Sequence, residues 1–343
     1  MAQARGFTLL LVSFSMQQCF ASSEVKVFGL IDEGLRIDLN HVPSSQKDFQ
    51  LRNGGKMSSR LGIRGREEIL PKHSVFFNLE ADIQPHQHHH KQMFGRSRYL
   101  GYENPNLGKF TLGLQSSVGF DIARIFDPSG VIRQKYVIDD LSGSFNGRYG
   151  NKWADNALKY SFQSKNFNLL SSYQVANDQL HQQPNYAIGM SYKLGDLLMG
   201  SSFSVTGHQK MSQRIGNSQI VNAGFTYLMG PTHLKMGVAH SQLGDLTKSS
   251  KFSSQGVTQI QNIGIGFKHH LQPKIDLYAG VYAQKNIINH QQTIHGYKYV
   301  FGSNYHLSKQ THLYGFIHHA IGSDMGKLIP DITSASLGLV HRF

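Results

Sequence analysis

Apolar and polar residues alternate singly along most of this chain, in segments of about ten residues divided by polar stretches, the pattern of a wall with one face in lipid and the other in water. The last segment, Leu337-Gly338-Leu339-Val340-His341-Arg342-Phe343, shows it most plainly. The alternation predicts sixteen strands, at 25–37, 58–66, 73–84, 95–103, 109–116, 152–164, 167–176, 186–193, 197–207, 219–228, 232–241, 258–270, 274–285, 296–306, 311–319 and 331–343. Short connectors fall at 68–72, 104–108, 165–166, 195–196, 229–231, 272–273 and 308–310, with longer ones between them, as short inner turns and longer outer loops would give.

The same phase assigns faces. Leu337, Leu339, His341 and Phe343 share one side, and Gly338, Val340 and Arg342 the other. Tyr186, Ile188, Met190 and Tyr192 face lipid, leaving Ala187, Gly189, Ser191 and Lys193 toward water; Leu158, Tyr160 and Phe162 point out while Lys159 and Ser161 point in. Rings at the ends of such stripes fit an interfacial aromatic girdle. After residue 21 no apolar run is long enough for a membrane helix. A spanning chain must then close into a barrel, because open sheet edges cannot be left in hydrocarbon. The fold class is therefore all-β, a 16-stranded antiparallel transmembrane barrel.

The first 21 residues read as a secretory signal peptide: Arg5, then apolar Phe7 to Phe14, then small residues at the −3 and −1 positions of a cut after Ala21. Two units follow, 1–21 as leader and 22–343 as barrel. Cys19 is the chain's only cysteine and leaves with the leader, so no disulfide holds the rest. The basic balance, 34 Lys and Arg against 21 Asp and Glu, is spread one or two per strand, without the dense run or finger spacing of a nucleic-acid binder.

At this point Val25-Lys26-Val27-Phe28-Gly29-Leu30, Ser59-Arg60-Leu61-Gly62-Ile63-Arg64-Gly65, Val75-Phe76-Phe77-Asn78-Leu79-Glu80, Phe94-Gly95-Arg96-Ser97-Arg98-Tyr99-Leu100-Gly101-Tyr102 and Gly338-Leu339-Val340-His341-Arg342-Phe343 together resemble the general diffusion porins of Gram-negative outer membranes, in particular the beta-proteobacterial and neisserial type. The resemblance implies a homotrimer in which each barrel holds a water-filled pore. It also implies a third outer loop folded into the barrel, its acidic residues facing arginines and lysines on the wall. The longest connector, 116–151, supports an inward fold independently, since a long loop in a compact domain is usually functional. On this reading Asp121, Asp127, Asp139 and Asp140 belong to the constriction loop, and Arg36, Arg60, Arg64, Arg96, Arg98 and Lys159 to the wall. Leu100 and Tyr102 share phase with both arginines of strand four, which places these outward unless a bulge intervenes. A plainer reading has the arginines only neutralising acidic partners such as Glu80. Phe343 is similar to the terminal residue by which such barrels are recognised for assembly.

The function expected is passive diffusion of small hydrophilic solutes and ions across the outer membrane, with anions preferred and no cofactor. The alternatives are a channel with a site for one solute and, less favoured, a surface or adhesion barrel. The tract His86, His88, His89, His90 has no nearby carboxylate and reads as an exposed outer loop rather than a metal site. Glu67 and Glu68 face opposite ways on a strand, and no phosphate loop or nucleophile elbow is present. A phospholipase-like barrel would need an outward Ser–His pair; His240 and His341 lie on lipid phases without a serine partner.

Overall fold

The computed structural model describes residues 23–39, 49–84, 93–128, 152–176, 182–210, 213–243, 257–288, 292–324 and 327–343. Its strands are β1 (Ser23–Asp38), β2 (Phe49–Asn53), β3 (Arg60–Leu70), β4 (His73–Asp82), β5 (Ser97–Asn104), β6 (Gly108–Ser116), β7 (Trp153–Gln163), β8 (Phe167–Gln174), β9 (Gln182–Leu194), β10 (Leu197–Lys210), β11 (Gln213–Met229), β12 (Thr232–Gln242), β13 (Val257–Gln272), β14 (Ile275–Ile288), β15 (Gln292–His306), β16 (Thr311–Asp324) and β17 (Lys327–Arg342). One helix, α1 (Val118–Phe126), follows β6.

Each strand pairs antiparallel with its sequence neighbour, and β1 closes the ring on β17, from Leu30 opposite Arg342 to Asp38 opposite Ser334. The other edge of β1 is shared: Ser23 to Leu30 pairs with β3, and Glu33 to Ile37 with β2. β2 and β3 are thus two pieces of one stave, and the seventeen strands make a closed sixteen-stave barrel. Closure leaves no strand edge to hydrocarbon.

The alternation decides what each face meets. Leu100, Leu112, Leu158, Tyr186, Ile188, Phe301, Leu337 and Phe343 stand exposed on the outside, where lipid covers them. Inside, Ser191, Ser202, Asn222, Thr226, Asn262 and Ser334 are buried against other lumen groups.

Three features depart from the sequence expectation. The connectors at 211–212, 289–291 and 325–326 are as short as the turns at the opposite end, because β10–β11, β14–β15 and β16–β17 keep pairing where loops were expected. The second stave is interrupted, and residues 54–59 turn into the lumen. Asp32 holds them there: its carboxylate accepts the N–H groups of Lys56 (2.9 Å) and Met57 (2.5 Å) and the Tyr314 hydroxyl (2.7 Å), while its own N–H donates to Ser59 Oγ (2.8 Å). Gly54 makes the turn at φ +72°, a left-handed conformation that favours glycine. Met57 packs on an inner cluster of Leu30, Tyr278, Tyr314, Phe316 and Val340. The third departure is α1 itself. The leader 1–21 and the tract His86–His90 lie outside the described residues.

Candidate pore constriction

α1 is folded inside the barrel. Ser117 caps its N-terminus, accepting the Phe120 N–H at 3.3 Å, with Asp121 in the first turn and Arg124 in the last, each charge placed to suit the helix dipole. Val118, Ile122 and Phe126 form its buried face. That face lies where lumen-phase glycines on neighbouring strands leave a groove: a Cβ on Gly189 would come within 2.8 Å of Ile122 and Val118, and one on Gly224 within 2.6 Å of Phe126. Gly200 meets Phe126 in the same way, and Pro128 continues the contact over Gly266 and Gly280.

Polar ties fix the segment at both ends. Lys159 Nζ on β7 reaches Asp121 Oδ2 (2.5 Å) and the Ser116 carbonyl (3.0 Å). Asn222 Nδ2 donates to the Gly119 carbonyl (3.3 Å), Lys235 Nζ to those of Ile125 (3.0 Å) and Asp127 (3.4 Å), and the Tyr282 hydroxyl to Asp127 Oδ1 (2.5 Å). Among the described residues the helix therefore leans on β8–β12 and not on β3–β5.

On that wall Arg96 binds Glu80 through Nε (2.5 Å) and Asp82 through Nη1 (2.7 Å), and its guanidinium lies 5.4 Å from the Trp153 ring centroid. Arg60 Nε is 3.8 Å from the same Glu80 carboxylate. Arg64 lies over the Phe28 ring (5.1 Å) and is exposed to the lumen. Lys152 stacks over Phe120 (4.8 Å) and Trp153 (5.4 Å), joining helix and wall.

The residues expected at the constriction are thus distributed unevenly. Arg60, Arg64, Arg96, Lys159 and Asp121 come together around the lumen beside α1. Arg36 faces inward but is buried, spent on Asp38 (2.6 Å) and Ser334 (2.8 Å). Asp127 is fully buried and anchors α1 to Tyr282 on the opposite wall. Arg98 differs from its expected role. It pairs in register with Leu79 and Leu114 and takes their outward face, lining an external cleft of about 410 Å³ with Leu100, Leu112 and Asp155. Arg96 escapes that phase because it precedes the first residue of β5, behind a turn in which Phe94 has φ +53°. Asp139 and Asp140 lie outside the described residues.

Sequence reasoning missed Asp38, Asp82 and Lys235. Asp38 and Asp82 were readable, each sitting two positions along a strand from a recognised lumen residue. Lys235 was not, since its partners are backbone carbonyls of a helix the alternation did not predict.

A closed sixteen-stave barrel narrowed from within by a charged segment defines an outer-membrane transport barrel rather than an enzyme. Residues 8–324 match the model of the Gram-negative porin family, and the chain belongs to that family. It resides in the bacterial outer membrane as a multi-pass β-barrel. It is similar to an outer membrane porin protein of Bordetella pertussis, 22% identical with 94% of this chain and 95% of that protein covered. Among solved structures it resembles the anion-selective porin from Comamonas acidovorans, with a TM-score of 0.78 and 16% identity over 94% of this chain and 100% of that one. It also resembles the trimer form of OmpT from Vibrio cholerae, with a TM-score of 0.73 and 15% identity over 94% and 100%. The protein is thus a Gram-negative porin with beta-proteobacterial relatives.

Proposed function

We propose that the barrel passes small hydrophilic solutes and ions by diffusion through the gap between α1 and the β3–β5 wall, and that it prefers anions. The observation that carries this is the asymmetry of exposure. Asp121, Glu80 and Asp82 are each tied to a cation, whereas Arg64 is exposed, and exposed Arg124 only shares the Asp121 carboxylate with Lys159, at 3.7 Å. A surplus of fixed positive charge in a narrow aqueous gap enriches anions by focusing the field. Guanidinium stays charged at any working pH, so the surplus persists. The Comamonas porin's description as anion-selective agrees with this reading.

Single-channel recording in a planar bilayer tests both halves. Ohmic current that does not saturate with solute supports a general pore, while block by one solute at low concentration would favour a specific channel. A zero-current potential of anion sign across a KCl gradient is expected, and a cation sign overturns the preference.

We also propose that the functional unit is a homotrimer whose leader, residues 1–21, is removed on export. The outward Arg98–Asp155 cleft supports the trimer, because charged groups on a membrane-facing wall are costly in lipid and tolerable against another subunit. A monomer by light scattering in detergent, after extraction from outer membranes, would overturn this.

A further inference from the structure

Away from the constriction, at the short-turn ends of β12–β16, lumen-phase side chains form a second charged array. Asp276, nearly buried, accepts from Lys268 Nζ (3.0 Å), His270 Nδ1 (2.6 Å) and His306 Nε2 (2.9 Å). The three donors remain over a third exposed, 36% for Lys268, 44% for His270 and 38% for His306. The carboxylate is thus the floor and the cations are the lining. His233 stands edge-on to His270, ring centroids 5.3 Å apart, and buried His312 backs His306 at 5.5 Å.

The surrounding charges are also mostly positive. Lys56 reaches in from the 54–59 link, contacting Asn304 and lying 4.6 Å over the Tyr278 ring. Arg342 Nη2 sits by Met57 Sδ (3.2 Å), and Lys235 extends from β12. Asp32, the other acidic group near Lys56, is occupied by Tyr314 and by two backbone N–H groups.

Asp276 engages one nitrogen of each imidazole, and the second nitrogen has no protein partner among the described residues. In a neutral ring that second nitrogen is an acceptor and repels an oxyanion; in the protonated ring it is an N–H donor. Lys268 and Asp276 cancel, so protonating His270 and His306 adds two positive charges with outward-facing donors to surroundings that are already mostly positive. Imidazole is the side chain whose charge changes between about pH 5 and 8.

We propose that Lys268, His270 and His306 form a proton-gated binding site for small doubly charged oxyanions at the periplasmic mouth. The proposal rests on the anion-conducting reading only in that anions must reach both mouths.

Sulfate is the suitable probe, because it keeps both charges across this range and only the protein titrates. Current through the full-length barrel in KCl should be reduced by potassium sulfate added to one side only at about pH 5.5, with apparent affinity about tenfold weaker at about pH 8, the scale of losing charge-assisted hydrogen bonds. The double variant His270→Gln, His306→Gln should lose that pH dependence and keep the parent's zero-current potential at the higher pH. Equal sulfate sensitivity at both pH values, equal block from both sides, or parental behaviour in the variant overturns the site. Should the double variant not assemble, the pH and side dependence of the parent decides alone. A cation-sign potential at the higher pH would sink the constriction reading while leaving the sulfate comparison intact.

Discussion

Gly29 and Phe343 exchange both backbone hydrogen bonds, the Gly29 N–H to the Phe343 carbonyl at 2.9 Å and the return bond at 3.2 Å. The phenyl ring lies over glycine's bare Cα, where a Cβ would clash with it. This pair terminates the β1–β17 seam, the one junction that sequence neighbours cannot form early.

Deleting Phe343 removes two hydrogen bonds, worth roughly 0.5–1.5 kcal/mol each, at the step that closes the ring, while Val340 and Arg342 keep their lumen places. The expected result is a several-fold loss of heat-modifiable folded protein in outer-membrane fractions, with single channels of parental conductance among the molecules that assemble. Undiminished folded protein by unheated gel mobility would show that closure does not depend on this residue.

Reversing Arg60 and Arg64 to glutamate changes four unit charges on the open wall. At lumen distances each is worth on the order of one thermal energy in water, less under salt. The anion-to-cation permeability ratio should fall about 2–10-fold at roughly 0.1 M salt, with the shift shrinking near 1 M, as the Debye length contracts. A folded double variant with unchanged potential would remove these residues from the constriction.

Glu80→Gln should act in the opposite direction. Arg60 and Arg96 share that carboxylate at 3.8 and 2.5 Å, and Asp82 alone remains to hold Arg96. Neutralising Glu80 exposes positive charge, so the zero-current potential should become more anion-selective. A shift toward cations would mean that the arginines do not line the conducting path.

Gly224→Val tests the seating of α1. The added carbons must displace Phe126, already at van der Waals limit over that glycine, and overpacking of this kind costs about 1–3 kcal/mol. The helix should shift toward the pore axis and lower single-channel conductance by tens of per cent, with noisier open levels. Parental conductance in the folded variant would show that the helix does not set the bore.

The sixteen staves were legible because a wall between lipid and water imposes a period of two on every strand. Each predicted segment overlaps one observed stave, and Leu337, Leu339 and Phe343 do face outward while Val340 and Arg342 face in. The alternation put Lys159 on the inward face of its strand for the same reason, whereas Asp121 was assigned to the loop only by resemblance, and neither residue was read as the other's partner.

Interior placement was decided by contacts between segments distant in sequence. Gly189, Gly200 and Gly224 are ordinary strand glycines until the pairing of β9, β10 and β11 sets them side by side and makes a groove for Val118, Ile122 and Phe126 from the distant helix. Asp127 reads like Asp121, yet one reaches Tyr282 on the far wall and the other Lys159 on the near one. Arg96 and Arg98 share a phase on paper, and only the turn before β5 sends them to opposite sides. Five histidine, lysine and aspartate positions scattered over β12–β15 likewise become one array when their strands pair. Alternation is a local consequence of two solvents and can be read residue by residue; which lumen groups meet depends on register and closure, which exist only once the whole wall has formed.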